Sequence, residues 1–68
     1  MYQQILDSLS KQITLIKRLS DNAFIPIEIA NTDYQTFKKD VATGTPLEDP
    51  EGVLMTQAQV DEFLETIP

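Results

Sequence analysis

The chain reads as an α+β domain: an antiparallel β-hairpin or three-stranded meander, followed by two short helices. Three observations predict this. Residues 13–29 hold two runs of β-branched and apolar side chains separated by Ser20-Asp21-Asn22, which is turn chemistry. Residues 32–43 and 57–66 each open on a capping signal and repeat apolar residues at helical spacing. With 68 residues, 41% apolar and 24% charged, the chain is a single small domain over 1–68, too apolar for a disordered tail and short enough that its core is thin. There is no Cys for a disulfide and no Cys/His set for a metal, so packing alone or self-association must hold the fold.

Residues 2–12 fit two readings. Tyr2, Ile5, Leu6, Leu9 and Ile13 recur at helical spacing, yet 2–6 is equally a short strand turning at Asp7-Ser8. The hairpin within 2–29 has a register that can be argued. A two-residue turn on Asp21-Asn22 scatters polar residues over both faces. A three-residue loop pairs Leu19 with Ala23, Lys17 with Ile25, Leu15 with Ile27 and Ile13 with Ile29, which makes one face nearly all apolar. That loop wants a left-handed last residue, and Asn22 tolerates the conformation. Pro26 cannot donate to a ladder, so 23–29 is an edge strand or carries Pro26 facing outward. In this register Ile16 and Phe24 point away from the core and, with Pro26, form a candidate partner surface.

The helix over 32–43 has Asn31 or Thr32 as N-cap, with Gln35 reaching back to the cap. Tyr34, Phe37 and Val41 form its buried stripe, Gly44 ends it in a left-handed conformation, and Pro46 prevents its resumption. Residues 45–55 read as an exposed, acidic, Pro-containing loop. In the helix over 57–66, Thr56-Gln57-Ala58-Gln59 makes a capping box, and Met55 and Val60 form a hydrophobic staple. The predicted core is Ile13, Leu15, Leu19, Ile25, Ile27, Ile29, Tyr34, Phe37, Val41, Val60, Phe63, Leu64 and Ile67.

Charge is segregated along the chain. Residues 1–39 hold all five bases (Lys11, Lys17, Arg18, Lys38, Lys39) against four acids, whereas 40–68 hold seven acids and no base. Those seven are Asp40, Glu48, Asp49, Glu51, Asp61, Glu62 and Glu65. Phosphate is repelled along nearly half the chain, which disfavours direct nucleic-acid binding and an anionic membrane surface. No apolar run approaches the ~20 residues of a membrane span, and the start lacks the basic flank of a secretory signal. The acidic half is then either a solvated face that keeps the protein soluble or a surface for a basic partner.

The residues suggest no catalysis and no cofactor. Without His or Cys, acid–base chemistry near neutral pH would need a shifted carboxylate, Lys or Tyr, and no spacing pairs two carboxylates in a pocket. Glu48, Asp49 and Glu51 beside Gly52 lack the alternation of a calcium loop. Tyr34 and Phe37, at helical spacing, read as core residues rather than as a base-stacking pair.

Three stretches carry a resemblance: Arg18-Leu19-Ser20-Asp21-Asn22-Ala23-Phe24-Ile25-Pro26, then Asn31-Thr32-Asp33-Tyr34-Gln35-Thr36-Phe37, then Gly44-Thr45-Pro46. Together they resemble a module of many small tailed-bacteriophage proteins, whose hairpin reads roughly R-L-x-D-G-A-x-I-P before N-x-D-Y-Q-x-[YF] and a Gly/Pro close. It covers about residues 13–50. Asn22 stands where the module has a turn Gly, Asp40 where it often has Trp, and a further capped helix follows. In similar proteins the N-terminal piece runs as a strand into the hairpin, which favours strand for 2–6. The resemblance implies a non-enzymatic, virion-associated, decoration or assembly component. It would act through contacts with a phage structural protein, or by self-association, in the virion or the host cytoplasm. The alternative is a small acidic inhibitor of a host or defence protein, using its acidic half as a nucleic-acid-like face.

Overall fold

Two helices cover one face of a four-stranded mixed sheet in the computed structural model, which describes residues 1–68. The fold is α+β. The elements are β1 (Tyr2–Leu6), β2 (Ile13–Arg18), β3 (Ala23–Pro26), α1 (Thr32–Ala42), β4 (Leu47–Glu48) and α2 (Gln57–Thr66). The sheet order is β3-β2-β1-β4, with antiparallel β1–β2 and β2–β3 pairs and a parallel β1–β4 pair.

The N-terminal segment is therefore the strand of its two readings, and it sits inside the sheet. Its turn is closed by Asp7, whose carboxylate accepts from the Leu9 N–H at 3.0 Å and the Ser10 hydroxyl at 3.1 Å. Residues 45–55, expected as a loop, supply β4 and an isolated bridge from Leu54 back to Glu48. A two-residue strand carries almost no periodicity, and its pairing comes from β1, which is remote in sequence. The Tyr2 N–H donates to the Pro46 carbonyl at 3.1 Å and begins that pairing.

The hairpin register differs by one residue from the expected one. Arg18 pairs with Ala23, Lys17 with Phe24, Ile16 with Ile25 and Leu15 with Pro26, across a four-residue loop, Leu19–Asn22. Two contacts favour the longer loop. Asp21 binds both residues that close it, accepting from Arg18 Nε at 3.0 Å and Nη2 at 2.9 Å, and from the Ala23 N–H at 3.2 Å. Leu19 leaves the hairpin, and its N–H donates to the Met1 carbonyl at 3.0 Å. Asn22 is left-handed at φ 59°, as the turn requires.

A one-residue shift exchanges the faces of one strand against its partner. Ile16 is fully buried, which corrects its expected place on a partner surface. Leu15 and Leu19, expected in the core, are half-buried outside it, and Ile29 is exposed. The core consists of Tyr2, Ile16, Ile25, Tyr34, Phe37, Val41, Leu47 and Val60, with Ile13, Ile27, Met55, Phe63, Leu64 and Ile67 packed around it. The Tyr2 and Phe37 rings meet edge-on at 5.0 Å, and Phe37 stacks on Tyr34 at 6.3 Å.

Both helices are capped. The Asn31 side chain accepts from the Tyr34 N–H at 3.0 Å, which makes Asn31 the cap. Gln35 is then one position beyond capping-box reach, and its amide donates to the Ile29 carbonyl at 2.8 Å instead. Gly44, at φ 110°, follows the last turn of α1. Thr56 and Gln59 make the reciprocal capping box of α2. No helix is long and apolar enough to cross a membrane.

Candidate functional site: an open sheet face

Side chains along a strand alternate between the faces of a sheet. Tyr2, Gln4, Ile16, Ile25 and Leu47 are buried under the helices. Their neighbours Gln3, Ile5, Leu15, Lys17, Phe24 and Glu48 consequently form the opposite face, on which no helix packs. An antiparallel sheet with one wet face ordinarily presents polar residues there. Here Ile5, Leu15 and Pro26 lie side by side across three strands, and Phe24 stands 60% exposed in the next row.

That neighbouring row spans the whole sheet. Reading across, Leu54 faces Glu48, Glu48 faces Gln3, Gln3 faces Lys17 and Lys17 faces Phe24. Leu54, like Phe24, is 60% exposed, so the row has an apolar residue at each end and a charge just inside each of them. The 49–53 turn borders this edge, and Gln3 Nε2 donates to the Asp49 carbonyl at 3.3 Å.

The structure separates the residues anticipated as sites. Phe24 and Pro26 lie on the open face, while Ile16 lies beneath it. Ile5, Leu15 and Leu54 belong to the patch and were not anticipated. Residue parity from the buried Tyr2 would place Ile5 outward, but only once Tyr2–Leu6 is known to be a strand. Leu54 needs the β4 bridge, for which the local sequence has no signal.

The acidic residues also divide. Asp40 accepts the Tyr2 hydroxyl at 2.7 Å, and burial together with this carboxylate pushes the Tyr2 pKa up to about 12. The Asp49 carboxylate accepts from the Glu51 and Val53 N–H groups, each at 2.9 Å, and shapes the turn. Glu51, Asp61, Glu62 and Glu65 are exposed, and Asp61 accepts from Gln57 Nε2 at 3.0 Å. Glu62 and Asp49 rim a shallow cleft floored by Met55 and Phe63. No three metal-ligating side chains converge.

Bases are engaged near the hairpin and the C-terminus. Arg18 binds Asp21 bidentately and approaches Asp33 at 3.5 Å, so the guanidinium holds the Asp21 carboxyl below its ordinary range. Lys38 Nζ and the Tyr34 hydroxyl both donate to the Pro68 carbonyl at 2.6 Å. Lys17, on the open face, makes no ion pair within the chain.

No protein-family model, curated protein or solved structure matches this chain.

Proposed function

We propose that this protein is a non-enzymatic interaction module that works by docking its open sheet face on a protein surface. The observation that carries this reading is the apolar patch on the uncovered face: Ile5, Leu15 and Pro26 across three strands, with Phe24 beside them. A sheet is stable with one wet face when that face is polar; an apolar one is completed by a further layer. The resemblance of about residues 13–50 to small tailed-phage proteins supports assigning the module to a virion-associated, decoration or assembly component, in the particle or in the infected cell. A second reading rests on Glu51, Asp61, Glu62 and Glu65, which are exposed in a half of the chain that holds no base. It makes the protein an acidic inhibitor of a basic host or defence protein.

Photo-crosslinking from position 24 in infected cells, and on purified particles, tests the proposal. Crosslinks from Phe24 to a particle protein, lost when Leu15→Glu disrupts the patch, are the expected result. No crosslink from position 24, with crosslinks instead from a probe at Glu62 on α2 to a basic host protein that salt abolishes, would establish the second reading.

A further inference from the structure

The cross-sheet row on the open face is self-complementary, and we propose that a second copy of this chain occupies that face. The inference rests on the open face being an interface at all, and it names the occupant. In sequence across the sheet the row reads Leu54, Glu48, Gln3, Lys17, Phe24, with Gln3 on β1 at its centre. Strands are ~4.8 Å apart, so Glu48 and Lys17 each lie one spacing from β1, and Leu54 and Phe24 each lie two.

Rotate a second copy about a two-fold axis that runs along β1 between the two open faces. Gln3 then meets its own counterpart. Glu48 meets Lys17 of the other copy on both sides of the axis, and Phe24 meets Leu54. Ile5, in the adjacent row, also sits over its counterpart, with Leu15 next to it. An isologous interface requires this kind of pattern, in which each residue's image falls on a residue it suits. The alternative two-fold axis, running across the strands, sets Glu48 on Glu48 and Lys17 on Lys17, and like charges in contact reject it. Packed sheets are rotated by ~30°, which at one strand spacing moves the charged pair by only a few ångströms, within reach of long side chains.

Charge also favours this occupant at this face. The chain carries −6, and the acidic excess lies in residues 40–68, whose surface repels its own counterpart in another copy. The open face holds one Lys and one Glu and is neutral, so two copies meet there without that repulsion. Its extent limits the strength. The row is about 20 Å wide, and the face falls short of the ~800 Å² per partner of a standard interface. The dimer is accordingly a reversible, concentration-dependent one.

Sedimentation velocity from about 10 μM to about 1 mM tests the inference. Variants Lys17→Glu, Glu48→Lys and the double exchange K17E/E48K all change exposed or half-exposed positions, and circular dichroism confirms that each is folded. The expected result is a monomer–dimer equilibrium in the original chain, weakened at least tenfold by each single change and restored by the double exchange. Glu48→Lys makes the molecule less acidic, so weakening by that variant separates the specific pairing from general repulsion. A monomer across the whole range, single variants that dimerise like the original, or a double exchange that stays monomeric each overturn the second copy as occupant. Crosslinks from position 24 to another protein, in a chain that is monomeric alone, would overturn this inference while upholding the open face as an interface.

Discussion

Ile16 and Leu15 are adjacent, nearly equal in size, and assigned to opposite environments by a register that differs by one residue. Truncating each to Ala therefore reads the register directly. Ile16 is fully buried in the core. Removing a fully buried aliphatic side chain to the β-carbon costs about 2–5 kcal/mol, from lost transfer energy and the cavity left behind. A 68-residue domain has only about 3–10 kcal/mol of total stability, so Ile16→Ala removes a large share of it. Leu15 is half-buried on the open face, away from the core, and its truncation leaves no enclosed cavity. Its cost is about 1 kcal/mol or less. Urea unfolding followed by far-ultraviolet circular dichroism measures both, at a concentration low enough to keep the chain monomeric. With a slope of about 1 kcal/mol per molar urea, the midpoint falls by about 2 M or more for Ile16→Ala and by under about 1 M for Leu15→Ala. Equal losses, or a larger loss for Leu15→Ala, would refute the four-residue loop and restore the three-residue register, taking the apolar open face with it.

Further expectations follow from local contacts. The raised pKa of Tyr2 means that its neutral hydroxyl contributes stability in full below about pH 10, the ordinary tyrosine value; this is lost as pH climbs towards about 12. Tyr2→Phe should remove that part of the alkaline loss, and an unchanged alkaline titration of unfolding would contradict the Tyr2–Asp40 bond. Thr56→Ala and Asn31→Ala each delete a side-chain cap and should cost about 1 kcal/mol in chemical denaturation, whereas Thr56→Ser should cost only a fraction of that. At Asn22, held at φ 59°, Asn22→Gly should be neutral or mildly stabilising, and Asn22→Val should destabilise by about 1–2 kcal/mol. Equal melting temperatures for these two variants would show that the loop does not require a left-handed residue.

The sequence alone carries the local features: both helices to within a residue, the capping box at Thr56, Asn22 as a left-handed turn residue, Gly44 beyond α1, and the α+β class. Each depends on side chains within a few positions of one another, where propensity and hydrogen-bond reach suffice. It also determined the charge segregation and put Phe24 and Pro26 outside the core. The rest came from contacts between residues distant in sequence. The register of β2 against β3 turned on Leu19 leaving the hairpin for the Met1 carbonyl, a partner on β1's side that the hairpin's own residues do not announce. Ile16 went inside and Leu15 outside as a consequence. The parallel β4 exists because β1 offers it an edge more than forty residues away in sequence. Because the five residues of the cross-sheet row come from β1, β2, β3, β4 and the Leu54 bridge, no window of sequence contains them together. The open face has no local signature for the same reason that a sheet has none. Its composition is set by pairing between distant strands, and a one-residue slip in any pair assembles a different surface.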